Sequence, residues 1–146
     1  MYSAVLELHS YLAYGVLVFL LLAMLNSFIG LSSKRPFIPR DRQIALIALI
    51  FTHVQFIVGL LVLFTNDKLE NVKQLGMGGL MKNKELRLIF IEHPVINLIA
   101  IILITIGWSK HKRAGESGRK FKSIAIFYAI GLALLLSRIP YSQWLD

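Results

Sequence analysis

The residues best equipped for redox or metal chemistry in this chain are three histidines, each within a different apolar segment. They are His9, His53 and His93, and cysteine is absent from all 146 residues. Without thiolates, a metal or tetrapyrrole has to be held by imidazole, methionine, carboxylate or packing, and covalent haem attachment through C-x-x-C-H is excluded. The histidines are therefore the first candidates for ligands.

The segments that carry these histidines are long enough to cross a lipid bilayer. The chain is 56% hydrophobic with a mean hydropathy of +0.66, which is above the range of ordinary soluble domains. We predict a single all-α domain over residues 1–146, an integral membrane four-helix bundle with its polar residues facing inward. Its spans, each about 17 to 25 residues long as a bilayer requires, are residues 4–29, 43–64, 88–108 and 123–139.

The basic residues lie mainly in two of the three connectors between these spans. The net charge is +8, and ten Lys and Arg residues lie within residues 30–42 and 109–122, against five within residues 65–87. Under the positive-inside rule this bias predicts a bacterial inner-membrane protein with the first and third connectors in the cytoplasm and both termini in the periplasm. Membrane orientation accounts for the positive charge, so nucleic acid is not expected as a partner.

Glycines and one further histidine give three local predictions. Within the GMGGL stretch of the middle connector, Gly76, Gly78 and Gly79 predict a flexible turn, because no phosphate-binding pattern surrounds them. His111 lies in the basic third connector and is expected to be an ordinary solvated residue. Small residues inside the spans are expected to let helices approach closely; they are Gly15, Gly59, Gly107 and Gly131.

Two of the three span histidines lie at the same depth in this topology. A helix rises about 1.5 Å per residue, so His9 and His93, each about five residues inside the outer end of a span, lie roughly 7 to 8 Å below the outer surface. His53 lies around 9 Å deeper. Two imidazoles at one depth on facing helices suit the two faces of a haem iron. We predict that His9 and His93 ligate a non-covalent haem b, with His53 as a third candidate that helix tilt brings nearer.

Glu92 and Arg138 are ionisable groups at the same outer level as these two histidines. A charge within a span is costly unless something compensates it, and the guanidinium of Arg138 is suited to a carboxylate. We predict that Arg138 is a cofactor-binding residue that pairs with Glu7, Glu92 or a haem propionate; the alternative is that it extends to the lipid headgroups. A histidine–carboxylate metal site is less favoured, because Glu92 and His93 point about 100° apart on one helix.

Three stretches of this sequence resemble a known family. LELHSYLAYGVL, FTHVQFIVGLLV and EHPVINLIAIILITIGWSKHK look like small four-span bacterial membrane proteins labelled cytochrome-b-like, and the resemblance covers nearly the whole chain. It implies one histidine in each of the first three spans, at His9, His53 and His93. A more distant likeness is to haem-containing membrane protoporphyrinogen oxidases. They also have a histidine near the start of the first span, where this chain has His9.

Three functions follow from these observations and remain open at the level of sequence. The first is a haem b protein that passes electrons to or from quinone or a partner subunit. The second is a cofactor-free accessory subunit of a larger membrane complex, in which histidines hydrogen-bond between helices. The third is an enzyme that oxidises a porphyrin, with Arg138 holding a carboxylate. The expected partners are the lipid bilayer and either quinone or membrane subunits, and self-association into a homo-oligomer is compatible with each function.

Overall fold

Four long apolar helices and several short ones make up the fold. The computed structural model describes residues 1–144, and within that range the chain forms no β-strand. The elements in chain order are α1 Tyr2–Ser33, α2 Pro39–Thr65, α3 Leu69–Lys82, α4 Lys84–Arg87, a π-helical turn Leu88–Glu92, α5 His93–Arg113, α6 Ser117–Ser137 and α7 Tyr141–Trp144.

Four helical stretches are long and apolar enough to cross a membrane, as the sequence predicts. They are Tyr2–Ser33, Pro39–Thr65, Lys84–Arg113 and Ser117–Ser137. Most helix ends lie a few residues beyond the predicted spans, because helical hydrogen bonding continues into the polar connectors. Large apolar side chains are exposed along the outside of the bundle, as expected where lipid replaces water as solvent; examples are Val18, Leu22, Ile57, Ile102 and Ile130. The chain is a multi-pass membrane protein with an all-α bundle fold.

The long helices pack in the order in which they occur along the chain. α1 packs against α2 and α6, and α5 packs against α6 and, less extensively, against α2. α1 and α5 are therefore diagonally opposite in an up-and-down bundle. We call the end that holds the start of α1 and the start of α5 the histidine end. The opposite end, where the two most basic connectors meet, is the basic end.

Glycines in the spans allow the close helix contacts that the sequence predicts. A Cβ atom on Gly131 would lie 2.5 Å from Ile104, and a Cβ on Gly107 would lie 2.5 Å from Phe127, so both glycines let α5 and α6 approach closely. Gly15 makes room for Phe51 of α2 in the same way, at 2.6 Å. Since helix association in lipid depends on such packing rather than on hydrophobic drive, these contacts hold the bundle together.

One prediction about the connectors is confirmed in part and another is wrong. The backbone turns at Gly76, at φ 70°, which separates two helical stretches within Leu69–Lys82, but Gly78 and Gly79 lie in the second helical stretch. His111 is 1% exposed rather than solvated, because its ring packs against the rings of Phe37 and Trp108. Its Nδ1 donates to the carbonyl of Trp108 at 2.6 Å, and its ring lies 5.4 Å from that of Phe37.

A buried ion pair that the sequence analysis did not single out fixes the basic end. Asp41 is 2% exposed and accepts hydrogen bonds from Arg35 at 2.8 and 2.9 Å. The same carboxylate accepts from the side chain of Asn26 and from the backbone N–H of Ile38, each at 2.9 Å. The network joins α1, the first connector and the first turn of α2, and it satisfies a carboxylate that would otherwise be costly to bury.

Candidate cofactor site at the histidine end

A cavity of about 220 Å³ lies inside the histidine end of the bundle. α1, α2 and the start of α5 form most of its wall, and α7 lies at its partly open mouth. Most of its lining is apolar. Polar side chains from α1, α2, α5 and α7 and from the residue after α2 also line it; they are Tyr2, His9, Ser10, Thr52, Gln55, Asn66, His93, Asn97 and Gln143.

His9 and His93 face each other across this cavity from diagonally opposite helices. Their ring centroids are 6.2 Å apart and their planes are nearly perpendicular, at 85°. An imidazole nitrogen lies about 2 Å from a bound metal ion, so two rings on opposite sides of one ion have centroids about 6 Å apart. This separation equals the one expected for two imidazoles on a single metal ion, and it is also that of a direct edge-to-face contact between two rings. The depth match predicted from sequence brings the pair together.

The ring of His93 is held in one tautomer by a backbone carbonyl. Its Nδ1 lies 2.9 Å from the carbonyl oxygen of Arg138, which can only accept, so Nδ1 carries the proton. Nε2 is left as the nitrogen with a lone pair, and it accepts a hydrogen bond from Asn97 at 3.2 Å. A ring N–H that donates to a carbonyl is the usual support of a metal-binding histidine.

The backbone before His93 is a π-helical turn, and Pro94 explains why. Proline has no N–H to donate to the preceding turn and its ring crowds the carbonyl four residues earlier. The wider turn over Leu88–Glu92 accommodates this and lets one continuous helix run from Lys84 to Arg113. π-helical turns are frequent at functional sites, and this one determines the direction in which His93 leaves its helix.

His9 occupies a space that a missing side chain provides. A Cβ atom on Gly59 would lie 3.1 Å from Cε1 of His9, so glycine at this position leaves room for the ring against α2. Gln55 donates from Nε2 to the backbone carbonyl of His9 at 2.7 Å and ties α1 to α2 at this level. The imidazole therefore packs against α2 at Gly59, beside the side chain of Gln55.

Three buried polar atoms around the cavity have no hydrogen-bond partner among the described residues. They are Nδ1 of His9, Oε1 of Gln55 and Oδ1 of Asn97. An unsatisfied buried polar atom costs about 1–3 kcal/mol, and native proteins leave few of them. Their concentration around one cavity leaves donors and acceptors there that a ligand or water could satisfy.

His53 is the predicted candidate that the structure keeps apart from the other two. It is exposed on the outside of α2, and it does not line the cavity. Its Nδ1 lies 2.8 Å from the carbonyl of Leu49 and its Nε2 lies 3.4 Å from the hydroxyl of Thr105 on α5. The expectation that all polar span residues face inward is wrong for His53, because the neighbouring Thr52 takes the inward position.

Glu92 and Arg138 form an ion cluster beside the cavity. One oxygen of Glu92 lies 2.8 Å from Nε of Arg87, and the other lies 3.6 Å from Nε of Arg138. Of the partners predicted for Arg138, Glu92 is therefore the one that the structure brings within reach. The side chain of Arg138 is 48% exposed, one of its nitrogens donates to the carbonyl of Ser137 at 2.9 Å, and it does not line the cavity. Arg87 was not predicted, because its position in a connector gave no sign of a partner in the next span.

The site fits a two-histidine ligand set and does not fit a multidentate metal centre. Within residues 1–144, no group of three or more His, Cys, Asp or Glu side chains converges as a metal ion would need. A haem requires only two axial protein ligands, and His9 and His93 are two candidates. Small-molecule cavities usually enclose about 300–1,000 Å³, and this cavity, at about 220 Å³, is smaller, so a tetrapyrrole would also have to occupy space outside it. No protein-family model, curated protein or solved structure matches this chain.

Proposed function

We propose that the protein is a b-type haem protein of the bacterial inner membrane that passes electrons to or from quinone or a partner subunit. The observation that carries the proposal is the 6.2 Å separation of the His9 and His93 rings across a buried cavity. The family resemblance of the three histidine-containing stretches points the same way. Haem, when bound, supplies one-electron chemistry, while the chain supplies ligands, orientation and exclusion of water.

The residues of the chain have separate roles in this proposal. His93 would hold the haem with one ring nitrogen, while its Nδ1 donates to the Arg138 carbonyl. His9 would hold it from the opposite helix, with its ring seated against Gly59. The guanidinium of Arg138, 3.6 Å from Glu92, is the cation suited to a haem carboxylate at this level. Asn97 hydrogen-bonds to the ring of His93 and orients it.

The proposed orientation puts the haem near the periplasmic surface. The two basic connectors lie in the cytoplasm by the positive-inside rule, which leaves the histidine end and both termini on the other side. A cofactor that lies close to one surface and beside a partly open mouth exchanges electrons with a lipid-soluble quinone or with a docked subunit on that side.

The test is an absorption spectrum of the full chain, purified from haem-replete cells, with and without a reductant. We expect a Soret band in the oxidised protein that shifts on reduction, together with α and β bands of a low-spin b haem. Addition of a quinol under anaerobic conditions should produce the same reduced spectrum. A preparation without a Soret band contradicts the proposal.

A second candidate is a cofactor-free accessory subunit of a membrane complex. It is favoured by the hydrogen bonds between helices that the polar span residues already make, among them Gln55 to the His9 carbonyl and His93 to the Arg138 carbonyl. Such bonds contribute about 0.6 to 2 kcal/mol each in a membrane. In this case, replacing both His9 and His93 with Gln leaves assembly of the complex intact, as native gel electrophoresis of solubilised membranes would show.

A further inference from the structure

A second pocket, at the basic end, is lined by positive charge. It has a volume of about 490 Å³ and lies between the start of α2 and the segment that joins α5 to α6. Its cationic side chains are Arg42, Lys112 and Lys120. No carboxylate is among the residues that line it within the described chain. We call it the basic pocket.

Aromatic rings and a carbonyl hold two of these cations in position. The guanidinium of Arg42 lies 5.2 Å above the ring of Trp108, which is itself buried. The ammonium of Lys120 donates to the carbonyl of His111 at 2.9 Å and lies 5.9 Å from the ring of Phe37. Long basic side chains usually lose about 2 kcal/mol of rotamer entropy when a ligand orders them. Here part of that ordering is already present.

The nearest buried carboxylate does not neutralise the pocket. Asp41 directly precedes Arg42 but does not line the pocket, and its carboxylate is occupied by Arg35, Asn26 and the N–H of Ile38. None of the described lining residues therefore pairs a carboxylate with the three cations. The first residue of the 27-residue α2, Pro39, also lines it, and the positive end of a helix dipole adds to the attraction for an anion.

Apolar helix surface lies beside the pocket. Ile38, which lines the pocket, is 39% exposed, and Leu46 and Leu49, four and seven residues after Arg42 on the same face of α2, are half-buried. A phosphate held between Arg42 and Lys120 would therefore have apolar helix surface beside it for acyl chains. Basic pockets between spanning helices are typical sites for anionic lipid headgroups.

We propose that the basic pocket binds the phosphate of an anionic phospholipid headgroup, with the acyl chains lying along α2. The cations supply charge-assisted hydrogen bonds to the phosphate oxygens, and the lipid supplies the apolar contact that inorganic phosphate lacks. This site is independent of the histidine end and of what that end binds.

The experiment uses the full chain in nanodiscs made of phosphatidylcholine with a minor fraction of phosphatidylglycerol. Lipid that stays bound after release into detergent is measured by native mass spectrometry. Wild type should retain phosphatidylglycerol preferentially. Arg42→Gln with Lys120→Gln should reduce that retention at least about tenfold, since one charge-assisted hydrogen bond to the phosphate alone contributes about a factor of ten.

The matched control is Arg40→Gln with Arg119→Gln, which removes the same charge from two exposed residues at the same end that do not line the pocket. It should change retention less than about threefold. Equal losses in the two double variants would show general charge attraction and overturn the proposal.

Two further arms keep the test decisive. If the Arg42 and Lys120 variant does not fold, Lys112→Glu is compared with Lys122→Glu, because both lysines are exposed and only Lys112 lines the pocket. Loss of phosphatidylglycerol retention in Lys112→Glu alone supports the proposal. Equal retention in the two variants overturns it. Inorganic phosphate is also added to wild type in pure phosphatidylcholine discs. A rise in thermal midpoint equal to the one that phosphatidylglycerol produces would identify free phosphate as the ligand and overturn the lipid assignment.

Discussion

At the basic end, buried polar groups are paired with one another, whereas at the histidine end three polar atoms face a cavity without partners. The carboxylate of Asp41 accepts four hydrogen bonds: two from Arg35, one from the side chain of Asn26 and one from the backbone N–H of Ile38. His9, Gln55 and Asn97 each leave one buried atom unsatisfied. The paired groups of the first region stabilise the fold, whereas the unsatisfied groups of the second weaken it unless the proposed ligand completes them.

The largest expected effect is at the ion pair of the basic end. Asp41→Ala leaves Arg35 without its carboxylate and removes the hydrogen bond to the Ile38 N–H. Breaking a buried pair costs about 3–5 kcal/mol, and because Arg35 is 29% exposed we expect a smaller loss, about 2–4 kcal/mol. The free energy of unfolding, measured by denaturant titration in one detergent, checks this.

The control for Asp41 is the exposed ion pair of Glu85 with Lys68, whose charged atoms are 3.7 Å apart. Glu85→Gln should change the free energy of unfolding by less than about 1 kcal/mol, as exposed pairs do. If Asp41→Ala proved as mild as Glu85→Gln, the stabilising role of the basic end would be wrong.

The next effect compares two glycines, one in the tight helix contact and one beside the cavity. In Gly131→Ala the new methyl group would lie 2.5 Å from Ile104, which is fully buried and has no room to move. We expect a loss of about 1–3 kcal/mol in the free energy of unfolding. In Gly59→Ala the methyl group would lie 3.1 Å from the ring of His9, which borders open space. The expected loss is below about 1 kcal/mol, with a change in the haem spectrum instead. Equal losses would mean that the cavity wall is packed as tightly as the α5–α6 contact.

The smallest effects come from two asparagines of similar burial. Asn26→Leu removes one hydrogen bond to Asp41 and one from Arg35, and should lower the free energy of unfolding by about 1–3 kcal/mol. Asn97→Leu removes an atom that is already unsatisfied and one contact of 3.2 Å with His93. Asn97→Leu should change the free energy of unfolding by less than about 1 kcal/mol. Thermal unfolding of both variants under the same conditions makes the comparison, and a larger loss for Asn97→Leu would reverse the assignment of the two ends.

The sequence predicted the features that depend on length and spacing along one helix. The four spans follow from apolar runs, and the equal depth of His9 and His93 follows from the rise per residue. It could not predict rotation about a helix axis. α2 is apolar on all sides, so nothing in its sequence indicated that Thr52 would face inward and His53 outward. Burial of Asp41 and His111 was also missed, because it depends on connector folding and on partners distant in sequence, such as Phe37 for His111.

The most direct test of the central claim is the haem content per chain of matched histidine variants. His9→Gln and His93→Gln each remove one proposed ligand and keep a side chain that can hydrogen-bond, while His53→Gln alters a histidine outside the cavity. Pigment extraction from equal amounts of purified protein should give about one haem per chain in wild type and His53→Gln. It should give strongly reduced haem in the other two. Unchanged haem in His9→Gln and His93→Gln, or loss in His53→Gln alone, would contradict the proposed site.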